Sequence, residues 1–242
     1  MDRRDVPATA DVPFIDLIKD TWEPFQDNWL VATVSAAILN YVPMIVVGIP
    51  ACIIAFLVAG FFAIVSKGNQ GMAMVALFPL GIIAGLAFAA VFNGLRAGWT
   101  KMLLDQANGK PIKISDIKCG MPWFVDFFLA LLMIGVGTTL LSLCLIVPGV
   151  IFAVRTSFAP FLIVDRNMGC IEALKMSNEL VTGYSWQICG YYFIYFFANL
   201  VIGFIPVIQF ALLPAAMGFF DMVLTRLYLY RKDAVAGHID VR

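Results

Sequence analysis

The chain has 242 residues, of which 62% are hydrophobic and only 13% charged, and its mean hydropathy is +0.91. Soluble domains run nearer half apolar and a quarter charged, so this composition excludes an ordinary soluble fold and indicates an all-α integral membrane protein. Lys plus Arg and Asp plus Glu both number 16, a balance that gives no support for nucleic-acid binding.

The N-terminal stretch "MDRRDVPATADVPF" is acidic and lacks an apolar core, so no cleavable signal peptide is expected. Residues 14–29 follow, with Phe14, Ile18, Trp22, Phe25 and Trp29 at helical spacing and Asp16, Lys19, Asp20, Glu23 and Asp27 mostly between them. That pattern predicts an interfacial amphipathic helix, which Pro24 divides into two turns. Residues 1–28 then form a tail carrying this helix, 29–232 a single transmembrane domain and 233–242 a polar tail.

A crossing helix needs about 20 mostly apolar residues. Six stretches qualify: Trp29–Val65, Met72–Leu95, Phe127–Val147, Gly149–Val164, Tyr184–Gly203 and Val207–Leu229. The first is long and carries Pro43 and Pro50 around Gly48. It reads either as one long kinked helix or as a crossing plus a second embedded piece, giving six crossings with seven as the alternative. With six, and the N-terminus in the cytoplasm, the basic residues outside the spans fall on the cytoplasmic side except Lys67. This is a strong positive-inside pattern, with both termini cytoplasmic.

Small residues predict the packing. Gly81, Gly85, Ala89, Asn93 and Ala97 recur every four residues, beside a second row of Ala90, Gly94 and Gly98. Ala51, Ala55, Ala59 and Ala63 form a similar row in the preceding stretch. Such rows bring backbones close where lipid gives no hydrophobic drive, within one subunit or between copies. "KISDIKCGMPWF" (113–124) predicts a short surface element with Ser115 or Asp116 as N-cap. Residues 169–183 predict another amphipathic helix. Cys170, Ala173, Leu174, Ser177, Leu180 and Val181 share one face, and Gly183 is placed just past its end. Together these elements read as a cytoplasmic collar.

Polar residues within spans are costly and so are candidates for function. The deepest charges are Arg155 and Asp221, about 15 Å and 12 Å from the ends of their spans at 1.5 Å per residue. Similar depth and opposite sign predict an ion pair, read either as part of a proton or anion pathway or as a lock on helix register. Asn93 is the third intramembrane polar candidate, while Arg96, Asp126 and Arg226 lie near span ends and can snorkel. Pro148–Gly149 is expected as the outer turn of a hairpin and Pro160 as a kink one turn past Arg155. Asp105, Asp116 and Asp126 are carboxylates without metal-ligand spacing. The only histidine, His238, lies near the end of the chain, and nucleophile, zinc and Walker motifs are absent, so no enzyme activity, metal or cofactor is expected.

The stretch "VPGVIFAVRTSFAPFLIVDRNMGCIEALKMSNELVTGYSW" resembles the signature of the YciC-like bacterial membrane proteins, and is similar to the membrane domain attached to some glycerophosphoryl diester phosphodiesterases. The matching positions are Pro148, Gly149, Ala159, Pro160, Val164, Gly169, Ala173, Leu174, Ser177, Leu180 and Gly183. The ending "LTRLYLYRK" (224–232) resembles the same family, and the likeness runs over roughly residues 95–232. It implies a six-helix inner-membrane protein, and this chain carries no phosphodiesterase domain. Two functions stand as expectations: binding of membrane lipids or passage of a small solute, as a monomer or a homo-oligomer, and a scaffold docking a partner protein through its collar.

Overall fold

The computed structural model describes residues 14–65, 70–204 and 209–239, and among them the chain is helical with no strand. Six of its helical stretches are long and apolar enough to cross a membrane. Helix α1 (Phe14–Pro43) passes through a π-helical stretch, Met44–Gly48, into α2 (Ile49–Val65) without a loop. The long apolar stretch is therefore one helical run with no reversal in it. Pro50 has no N–H to give the carbonyl four residues back, and the run widens before it: Ile49 N–H reaches Met44 O, five residues away. The N-terminal break falls at Asn28 (φ −121°, ψ 17°), not at Pro24.

Residues 14–29 form the first part of the longer helix α1. Phe25 and Thr21 are buried, whereas Trp22 and Trp29 are half-exposed. The buried stripe continues through Ala32, Ala36 and Leu39, so α1 packs lengthwise on α9 (Gln209–Ile239).

Helix α3 (Gln70–Ala107) carries the small-residue rows. Their outcome is divided. Among the described residues, a Cβ on Gly81 or Gly85 would meet nothing within 4 Å, so no packing there needs these glycines, and Ala89 is half-buried. Gly94 and Gly98 do pack, against the 3-10 segment Ile114–Trp123. A Cβ on Gly98 would sit 1.8 Å from Ile117 O, and one on Gly120 would sit 2.3 Å from Gly98 N. Two facing glycines thus let two backbones touch. The N-cap of this segment is Lys113, whose N–H donates to Asp116 Oδ2 at 3.0 Å, so Asp116 caps from the third position.

Helices α4 (Phe124–Cys144) and α5 (Ile146–Arg155) form a hairpin whose turn is the single extended residue Leu145 (φ −160°, ψ 138°). This corrects the placement of the turn at Pro148–Gly149. Pro148 lies in the first turn of α5, where its missing N–H would have no helical partner. Gly149 faces α4, where a Cβ would fall 1.9 Å from Ser142 Oγ. Helix α6 (Ala159–Arg166) continues the fourth span, α7 (Cys170–Val181) is the amphipathic helix, and α8 (Ser185–Gly203) is the fifth span. Ala173, Ser177, Leu180 and Val181 of α7 are buried while Glu172, Lys175 and Glu179 are exposed, and Gly183 takes φ +89°, as the pattern predicted. The expected turn at 205–208 lies outside the described residues, and α9 extends to Ile239, beyond the predicted end of the domain at 232.

Burial concentrates at the end of the bundle that carries α7 and the 3-10 segment. One cluster joins α4–α9 around Phe158, Leu162, Ile188 and Tyr228. A second joins α1, α3 and α9 around Leu39, Trp99, Met102 and Met222. Toward the opposite end, α2, the first half of α3 and the α4–α5 tip expose large aliphatic and aromatic side chains such as Phe56, Ile83, Leu143 and Ile146. A lipid-facing surface has this character, because apolar solvent does not penalise it.

Candidate functional site

The fourth span is broken. Between α5 and α6 the helical hydrogen-bond pattern lapses at Ser157 and Phe158, and Pro160 takes the second position of α6. In a continuous helix the Pro160 ring would strike the carbonyl of Thr156, and this carbonyl instead accepts from Ala159 N–H at 3.2 Å. A break within an apolar layer strands backbone groups, which must find partners inside the protein. Ser177 of α7, fully buried, supplies two: its Oγ donates to Arg155 O at 2.8 Å and accepts from Phe158 N–H at 3.1 Å. Thr156 Oγ1 donates to Phe152 O and Ser157 Oγ to Val154 O, both at 2.8 Å. The predicted kink at Pro160 is therefore a full break held by a neighbouring helix.

On the inner side of the break lies a cavity of about 230 Å³ whose polar lining includes Arg96, Trp99, Thr156, Ser157, Tyr192 and Asp221. Asp221 is buried; its Oδ2 accepts from Trp99 Nε1 at 2.8 Å and lies 3.4 Å from Arg96 Nη1. The predicted pairing of Asp221 with Arg155 is thereby corrected: the partner is Arg96, a residue the sequence assigned to snorkelling at a span end. The reason is helical phase. Successive residues turn by about 100°, so Val154, 3% exposed and facing the core, leaves Arg155 on the outer surface. Asn93 does not join this cluster. Its Nδ2 donates to Ala89 O at 2.6 Å, its Oδ1 is buried without a partner among the described residues, and it borders a separate groove between α3 and α4. The three intramembrane polar candidates thus occupy three places.

Arg155 lies in a lateral groove of about 420 Å³ between α5 and α8. Ile146, Val147, Val150 and Ile151 form one wall, and Trp186 and Cys189 the other, with Arg155 and Ser185 at one end. From Ile146 to Arg155 the wall rises about 14 Å. Ser185 opens α8 immediately after the charged face of α7, so the arginine lies level with the start of the fifth span. Arg155 is exposed, makes no ion pair among the described residues, and has beside it Trp186, 86% exposed. Sequence reasoning missed Trp186 and Ser185. The available signal was a tryptophan at the start of an apolar run, which marks a membrane interface.

The remaining charges tie elements together. Arg231, buried on α9, donates from Nε (3.1 Å) and Nη2 (3.0 Å) to Leu180 O and from Nη2 to Thr182 O (3.2 Å), with its guanidinium 3.5 Å from the centre of the Tyr184 ring. It closes the C-terminal end of α7, where a cation complements the helix dipole. Lys232 and Tyr228 both reach Asp165 Oδ2, at 2.6 and 2.7 Å. The three scattered carboxylates serve separately. Asp105 pairs with Lys101 and Lys110, Asp116 caps the 3-10 segment, and Asp126 accepts from Cys170 N–H. Comparisons with protein-family models, curated proteins and solved structures give no match to this chain.

Proposed function

We propose that this chain is a non-enzymatic, multi-pass lipid-binding protein of a bacterial inner membrane, with both termini in the cytoplasm. The orientation rests on the basic residues beside the span ends. The lipid reading rests on one observation, the lateral groove between α5 and α8, which is walled by aliphatic side chains and ends on Arg155. An acyl chain laid along α5 fills such a groove with no polar group to desolvate. Kinship with the YciC-like proteins is part of this proposal, and its support is local. Of the motif residues, Pro160 and Ser177 sit at the helix break, and Gly149 at the α4–α5 contact.

The test is occupancy of the groove. Val150 is exposed and forms part of its wall, so Val150→Trp fills the groove from a position that tolerates bulk. Purified wild-type protein is expected to retain phospholipid in mild detergent, detected by native mass spectrometry, and Val150→Trp to lose most of it. Equal retention in both overturns the groove as the site. A second reading, passage of a small solute, rests on the cavity beneath the break. It requires flux into proteoliposomes above that of empty vesicles, abolished by Ser157→Phe.

A further inference from the structure

We infer that the lipid held between α5 and α8 is an anionic phospholipid, whose phosphate is bound by Arg155 while one acyl chain lies along Ile146–Val154; this rests on the lipid-binding reading above. Four observations carry it. Among the described residues, Arg155 is the only charged side chain lining the groove, and no carboxylate lines it to neutralise or repel. The arginine has no ion pair among the described residues. A guanidinium left unpaired at the end of an aliphatic groove is costly unless an anion or headgroup water meets it, and it binds phosphate through two parallel N–H donors. Finally, the cation and the aliphatic wall are continuous on one helix face, the order in which a phospholipid presents headgroup and chain.

The break in the fourth span places the charge there. With the helical pattern lapsing at Ser157 and Phe158, α5 ends at Arg155, and its last carbonyl is held by Ser177 while the side chain turns outward beside Ser185 and Trp186. Ser177 is then a positioning residue: it touches no lipid but fixes the end of the helix that presents the arginine. Zwitterionic phospholipid offers the same acyl chain, yet its own ammonium competes for the phosphate, so discrimination must come from the headgroup alone.

The experiment is competition on the full-length protein in mild detergent. Equimolar dioleoyl phosphatidylglycerol and dioleoyl phosphatidylethanolamine are added and bound lipid is counted by native mass spectrometry. The wild type is expected to favour phosphatidylglycerol by about tenfold, as one charge-assisted contact at a partly wet site gives. Arg155→Gln is expected to abolish the preference while still binding either lipid, and Arg155→Lys to keep part of it. Because Arg155 is exposed, the Gln variant folds as the wild type does, which its elution volume and unfolding midpoint check. Equal binding of the two lipids by the wild type, or an unchanged preference in Arg155→Gln, overturns the anionic assignment and leaves lipid binding standing. Absence of both lipids from the wild type overturns the lipid-binding reading itself.

Discussion

Asp221 on α9 takes its cation from Arg96 on α3 at 3.4 Å, and Trp99, one turn further along α3, donates a second bond to the same carboxylate at 2.8 Å. Three groups from two helices therefore share one buried charge. Removing one partner of such a set leaves the other without compensation, and the cost exceeds what the pair contributes against an apolar replacement.

Asp221→Leu should accordingly destabilise the fold by about 2–3 kcal/mol, somewhat less than for a fully buried pair because the Arg96 side chain is 29% exposed. Arg96→Met combined with Asp221→Leu should recover most of that loss, whereas Arg155→Gln should change stability by less than about 0.5 kcal/mol. Reversible denaturant unfolding in detergent measures all four proteins. No recovery in the Arg96→Met and Asp221→Leu double variant would contradict the assignment.

Ser177 offers a sharper test of the broken span. Ser177→Ala strands Phe158 N–H and Arg155 C=O together, a loss of about 1–3 kcal/mol. Hydrogen exchange at the Phe158 amide should accelerate before that of the neighbouring core. Thr182→Ala, which removes an exposed hydroxyl bonded only to Asn178 O, should leave both measurements unchanged.

The spans were legible because each needs only length and hydropathy, and the faces of α7 were legible because Glu172, Lys175 and Glu179 mark the wet side at helical spacing. What failed shares one cause, the dependence of side-chain direction on where a helix starts. Placing the hairpin turn at Pro148–Gly149 instead of Leu145 leaves the phase of α5 undetermined. Arg155 can then be assigned inward, although Val154 holds that direction. The partner of Gly98 was hidden for a related reason. Ile114–Trp123 is a 3-10 segment, and its three-residue turn leaves no 3.6-residue signature to identify a packing face. Arg96 sits at the edge of an apolar run, where hydropathy alone cannot separate a snorkelling arginine from a paired one.

The glycine rows give a comparison within one helix. Gly98→Ala pushes a methyl group into the backbone of Ile117, which no rotamer change relieves, and should cost about 3 kcal/mol or abolish folding. Gly85→Ala meets nothing within 4 Å and should raise stability slightly, by about 0.5–1 kcal/mol through helix propensity. Thermal unfolding of the two variants in the same detergent decides the matter, and a large loss at Gly85 would reveal a contact made by another copy of the chain.

Arg231→Lys keeps the charge and loses the fork. Three bonds to Leu180 and Thr182 carbonyls cannot be matched by one ammonium, so the end of α7 should loosen by about 1–2 kcal/mol. Limited trypsin digestion should then cut faster after Lys175, which is exposed on that helix.

The one-residue reversal at Leu145 bears on biogenesis. Residues 127–154 contain no charged side chain, so the α4–α5 pair carries nothing ionic to its far tip and has no hydrophilic loop to be translocated. Closing a hairpin through a single residue adds almost no chain entropy to overcome. The two helices can therefore enter the bilayer together as one preformed wedge as they leave the ribosome, with Gly149 already seated against Ser142, before α7 exists to hold the break behind them.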